Sequence, residues 1–230
     1  MTQQPRHGIP ESLRQDLLHH IAELESTLQG EELRTQIRSL ASRYIDLPHL
    51  NSMPSPLDDD SIVMDRLLAY FLRFPRSPIS KTELMLVAGR DDWAYLVRKL
   101  RVKRGWPIVR GIVIWHMQAA GELPNGGAEF LEIDTNDYIL VDTMQDYAAA
   151  YRGYVARDLR RERGDVRSKL LDYFRGNPGR RILGDELRQV ANYTSRWARY
   201  VCELRSDLNL PIGTKYHGRP DLPVGVYVLV

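Results

Sequence analysis

The side chains best suited to contact a polyanion sit on two matching helical stretches. On the later one, Trp197, Val201, Leu204 and Leu208 recur at helical spacing and mark the face that a helix buries. Arg196, Arg199, Tyr200 and Glu203 then face outward, and Arg205 follows on the same stretch. On the earlier one, Trp93, Val97 and Leu100 face inward, while Tyr95, Arg98, Lys99 and Val102 lie off that face. Arg98, Lys99, Arg101, Lys103 and Arg104 outnumber the local acids Asp91 and Asp92. A helix of this kind fits the DNA major groove, where arginine reads guanine bidentately and lysine meets phosphate. The competing reading is a solvated basic face on an interaction module. Further on, Lys215, Tyr216, His217 and Arg219 gather at a turn. That composition suits phosphate or minor-groove contact, or an ordinary polar turn.

Signals for catalysis are poor. His7, His19, His20, His49, His116 and His217 are scattered, and adjacent His19 and His20 face apart on a helix. Neither a glycine-rich phosphate loop nor a Gly-x-Ser-x-Gly elbow occurs. Glu129-Phe-Leu-Glu-Ile-Asp134 places carboxylates on an expected strand, as metal-dependent nucleases do, but no lysine follows closely. An exposed acidic strand is the alternative. No catalytic residue, metal or cofactor is assigned. The one cysteine, Cys202, excludes an intramolecular disulfide framework and a cysteine-based zinc cluster, and reads as a buried, inert thiol.

The elements that must carry these residues form an internal duplication. Leu67-Leu-Ala-Tyr-Phe matches Leu170-Leu-Asp-Tyr-Phe. In register, Pro75 meets Pro178, Ile79 meets Ile182, Glu83-Leu84 meets Glu186-Leu187, and Val87-Ala88 meets Val190-Ala191. After one inserted residue, Trp93-Ala94 meets Trp197-Ala198, Leu100-Arg101 meets Leu204-Arg205, and Pro107-Ile108 meets Pro211-Ile212. The matches are mostly apolar at helical spacing, so a core is repeated, and two long copies mean domain duplication. Each copy reads as helix, short helix, third helix and a two-strand hairpin. This is the layout of a winged helix, expected over residues 61–142 and 165–230. The expected caps are Asp60 or Ser61, Ser80 with Glu83 as a capping box, Asp91 or Asp92, and Thr194 or Ser195.

The first copy is longer before its closing strand, Tyr138-Ile-Leu-Val. The extra segment reads as a strand or short helix at Gly111-Ile-Val-Ile-Trp-His-Met, then a long wing. That wing carries Glu122, Glu129, Glu132, Asp134 and Asp137 without Lys or Arg, and should repel phosphate. Residues 143–164 read as a linker helix broken at Gly164. The run from Arg152 to Lys169 is net basic, suited to lie along phosphates or to be solvated with Arg–Glu pairs. Residues 1–45 read as a helical arm with an apolar stripe at Leu13, Leu17, Ile21, Leu24 and Leu28, then Leu33, Ile37 and Leu40. The arm either packs on the first winged domain or forms a homodimer. Residues 46–60, with three prolines, form a linker.

With 230 residues and 43% hydrophobic content, both copies can bury a core. A net charge of +2 makes any nucleic-acid surface a matter of local segregation. No apolar signal core and no window approaching the roughly 20 residues of a membrane span is present. The expectation is a soluble cytoplasmic protein that does not enter membranes.

The second copy resembles the winged-helix domains of bacterial restriction endonucleases. The resemblance lies in Arg196-Trp-Ala-Arg-Tyr-Val-Cys-Glu-Leu-Arg, then Leu210-Pro-Ile, then Pro223-Val-Gly-Val-Tyr-Val-Leu. The first copy carries Gly105-Trp-Pro-Ile. The resemblance covers both copies and not residues 1–60. It implies a reader of double-stranded DNA, some such domains reading methylated DNA, in a restriction or defence setting. No nuclease motif accompanies it here. The expected fold is mainly α with small β wings: an N-terminal helical hairpin plus two tandem winged-helix domains. Transcription regulation is compatible with this reading. A plasmid or phage replication initiator, a protein-interaction scaffold and a cryptic metal-dependent nuclease remain the rival expectations.

Overall fold

The computed structural model describes residue 19 and residues 30–44, 59–90, 92–124, 130 and 132–230. The helix expected over residues 10–29 and most of the linker that follows the arm lie outside the described residues. The chain is mainly helical with small antiparallel sheets. It divides into two compact units, Met1–Phe74 with Ile79–Leu100, and Pro75–Pro78 with Arg101–Val230.

In the first unit, α1 spans Glu31–Tyr44, α2 Asp60–Arg73 and α3 Lys81–Ala88, and α4, Trp93–Val102, runs on into the second. Asp59, not Asp60 or Ser61, caps α2 by accepting from the Ser61 amide. The acidic run lets the register slide by one residue, and Asp60 instead holds Lys99 and Arg90. The capping box of α3 forms as the sequence specifies, Ser80 with Glu83. Glu83 is itself buried, and accepts from Arg34 at 3.0 Å and the Tyr70 hydroxyl at 3.2 Å. Burial pushes its carboxyl up, but the Ser80 amide and Arg34 outweigh this and hold it below the usual range. Arg34 ties α1 to α3, and Leu33 and Ile37 are fully buried. These two apolar residues of the arm are thus covered within the unit.

The second unit opens with a two-stranded antiparallel sheet. Strand β1, Ile108–Arg110, pairs with β2, Tyr138–Leu140, in the register Ile108↔Leu140 and Arg110↔Tyr138. Between them lies α5, Gly111–Ala119, so the extra segment of the first copy is a helix. Gly105 takes φ +72°, and a Cβ there would lie 1.8 Å from the Asp146 carbonyl oxygen, so only glycine fits. Helix α6, Ala149–Arg161, is shorter than the linker helix expected. Helix α7, Val166–Arg175, starts at Asp165, which accepts from the Ser168 amide. Strand β3, Ile182–Leu183, then leads into α8, Gly184–Val190, and α9, Trp197–Asp207. The closing strands β4, Ile212–Gly213, and β5, Val226–Leu229, make a three-stranded sheet in the order β3-β5-β4. The expectation of a two-strand hairpin missed β3, which at two residues is too short to show a period.

The core of this unit mixes both copies. Val109, Val113, Ile114 and Met117, before and along α5, share one cluster with Leu170, Phe174, Trp197, Val201, Leu204 and Tyr227. Trp197, Val201 and Leu204 face inward as their spacing requires, but Leu208 is 47% exposed because the helix has ended at Asp207. The expected caps of α9 shift too. Arg196 occupies the cap position, and Thr194 Oγ1 accepts from its amide at 3.4 Å. Gly184 permits the close approach of α5. A Cβ there would sit 2.5 Å from Val113 Cγ1 and 3.0 Å from Trp197 Cη2. Gly184→Ala is therefore expected to destabilise the protein by about 1–3 kcal/mol, through overpacking, read from urea-unfolding midpoints.

Candidate nucleic-acid interface

The turn between α8 and α9 is where cations collect. Two non-glycine residues there, Asn192 and Tyr193, adopt left-handed backbone with φ 52° and 60°. Tyr193 stays 42% exposed. Two guanidinium groups lie against its ring, Arg160 of α6 at 5.4 Å and Arg188 of α8 at 5.2 Å. Behind them is Asp185, buried, paired with Arg101 at 3.0 Å and Arg110 at 2.8 Å. Burial raises its pKa, but the two arginines prevail and hold it below the usual range. One carboxylate thus pairs with Arg101 and Arg110 and also acts on Arg188 from further off, while Arg188 and Arg160 lean on the Tyr193 ring. Arg188 is pushed below its ordinary pKa by burial and then by Arg110.

Among the residues expected to contact DNA, Arg196 is exposed at this turn. Arg199 is exposed one helical turn on and pairs with Glu203 at 3.2 Å. Tyr200 is half-buried. Asp207 takes Arg167, so the outward face of α9 is close to charge-balanced and the excess lies at its N-terminal end. Arg205 turns inward, donating to Glu122 at 3.0 Å and to the Ile212 carbonyl at 3.0 Å. His217 approaches the same Glu122 at 3.5 Å and the Thr214 hydroxyl at 3.0 Å. At the wing, Lys215 lies over the Tyr216 ring at 5.3 Å, and Arg219 makes a double contact with Asp221 at 2.8 Å. On α4, Tyr95 and Arg98 are exposed, Lys99 holds Asp60 and Arg101 holds Asp185, and Lys103, just past its end, is exposed.

The acidic wing of the first copy is partly an inward feature. Glu122 is 2% exposed and anchors the third helix and wing of the second copy. Asp137 is also buried, and accepts from the Asp134 amide. Glu129 lies outside the described residues. Among those described, no group of three or more His, Cys, Asp or Glu is placed to hold a metal ion. The basic run of the linker helix is reduced in the same way, since Arg152 is buried against Glu186 and Asp146. Cys202 is half-buried with Sγ 2.8 Å from Glu122, and burial followed by that carboxylate pushes the thiol up to about 12. Sequence reasoning placed Arg160 only within the basic run of the linker helix and missed Arg110, Arg188 and Tyr193, because nothing local marks residues that meet only after folding.

A neutral imidazole underlies the site. Trp197 Nε1 donates to His116 Nδ1 at 2.8 Å. Burial, then Arg188 and Arg110, lowers the His116 pKa from its ordinary 6.5. His217 is lowered as well, by burial and then Arg205. Unfolded histidine takes its proton near pH 6.5, while the folded groups resist until lower pH. This contribution is complete above that value and is lost as pH falls below it. Urea midpoints at about pH 7.5 and about pH 5.5 should show lower stability in acid. His116→Gln should flatten the difference.

Among the described residues, no helix is long and apolar enough to cross a membrane. A family model described as the KpnI N-terminal domain matches residues 64–141 and 167–230. The two stretches coincide with the two copies of the repeat and together take in more than half of the chain. No curated protein and no solved structure matches.

Proposed function

The chain belongs to the KpnI N-terminal domain family, and from that premise we propose that it binds double-stranded DNA as the recognition part of a restriction-type system. The observation that carries this is the collection of guanidinium groups at the α8–α9 turn, where Arg160 and Arg188 lie against the Tyr193 ring and Arg196 is exposed three residues on, while Asp185 pairs with Arg101 and Arg110. The element order of the second copy supports a winged-helix reading: helix, strand, helix, helix, then two strands. In that reading α9 enters the major groove by its N-terminal end, with Arg196 and Arg199 toward base edges and Lys215 and Tyr216 of the wing toward the backbone. The first copy, whose Tyr95 and Arg98 are exposed, either adds its own binding or takes a partner.

The test is fluorescence anisotropy with random duplex DNA, unmodified and methylated, over a salt series. Affinity falling steeply with salt supports counterion release from phosphates. Preference for the methylated duplex marks a reader of modified DNA, and indifference to methylation marks a regulator or replication initiator instead. An absence of binding at low salt sinks the DNA reading.

A further inference from the structure

The duplex-binding reading assigns a surface; the α8–α9 turn goes further and defines a seat for one anion. Arg188 Nε is buried and has no hydrogen-bond partner. A guanidinium donor left unmade costs free energy, so Arg188, which as a residue is only half-buried, gains more from an anion beside it than a fully solvated arginine does. Asp185 is held by Arg101 and Arg110, and is not released to Arg188 without breaking contacts of 2.8–3.0 Å. The Tyr193 ring supports the Arg188 and Arg160 guanidiniums at 5.2 and 5.4 Å and offers them no negative charge. Asn192 and Tyr193 hold left-handed backbone, in a turn that keeps the ring under both cations. Two guanidinium groups side by side match the chemistry of an oxyanion such as phosphate, whose oxygens accept charge-assisted hydrogen bonds.

Resting on the duplex-binding reading, we infer that Arg188, backed by Tyr193 and Arg160, seats one phosphate group. In the DNA complex this is a backbone phosphodiester at the N-terminal end of α9, which sets the register of that helix and reads no base.

Two arms test it on the full chain. In the first, the slope of log affinity against log salt for random duplex is compared between the parent and Arg188→Gln, with Arg188→Ala as the substitute if glutamine disturbs folding by near-ultraviolet circular dichroism. Removing one phosphate interaction makes the slope shallower by about 0.9. Arg188→Lys keeps the charge and the slope, and Arg175→Gln, on an exposed arginine at the end of α7, leaves the slope at the parent value. In the second arm, melting temperatures are compared in inorganic phosphate and in chloride of equal ionic strength. A parent that binds no DNA but is stabilised by phosphate, with the gain absent in Arg188→Gln, retires the DNA reading and keeps the seat, with free phosphate as its source. A neutral variant that keeps both the parent slope and the parent response to phosphate overturns the inference, as does a parent that responds to neither DNA nor phosphate.

Discussion

Reversing two charges, Arg196→Glu with Arg199→Glu, is expected to weaken duplex binding about 100-fold or more while the fold stays intact. Each arginine is exposed at the start of α9, so neither supports the core. Within the protein the double substitution breaks the Arg199–Glu203 pair, an exposed i,i+4 interaction of about 0.3–0.5 kcal/mol. Binding forfeits two favourable interactions, each worth about 1–3 kcal/mol if it reaches a base edge, and sets two carboxylates against phosphate. Glu203 adds to the repulsion once its partner is gone. Anisotropy at fixed low salt measures the weakening, and the unfolding midpoint should stay close to the parent value. Variants that bind like the parent would remove α9 from the interface.

Trp197→Ala is the stability counterpart, expected to cost about 3–5 kcal/mol. The indole is fully buried, packs edge-on against Tyr227 with ring centroids 5.7 Å apart, and meets α5 across Gly184. Its removal leaves a cavity and also strips His116 Nδ1 of its donor. Trp197→Phe separates the two effects, since it keeps most of the volume and removes only the N–H. Urea unfolding should rank the parent first, then Phe, then Ala.

Much of the helical frame is legible in the sequence because it is local. The apolar spacing of Trp197, Val201 and Leu204 marks a buried face, and Ser80 with Glu83 marks a helix start. The duplication reinforces the buried face, since the same core positions recur in both copies. The candidate site is legible only in part. Arg196 and Arg199 stand out on a helical wheel, but Arg101 and Arg110 are spent on Asp185, which lies far along the chain. Arg205 reads in the sequence as a surface cation and Glu122 as a group repelling phosphate; folding brings them together as an inward pair. Charge counting along a window cannot see this, because a salt bridge between distant segments cancels both members at once. Tyr193 is invisible for another reason: its place depends on a left-handed turn that no glycine announces.

The helix inserted in the first copy also has a bearing on how the protein is made. Val113, Ile114 and Met117 of α5 find their packing partners in Leu187, Trp197, Val201 and Tyr227. Glu122 finds Arg205. During synthesis these partners emerge about 100 residues later, roughly 5–20 s at usual elongation rates. For that interval an apolar helix and an unpaired carboxylate must wait in solvent, or under a chaperone, until β5 has left the ribosome. The second unit therefore closes only after α9 and β5 are made, and a ribosome stalled between α5 and α9 would hold a nascent chain with that apolar helix uncovered.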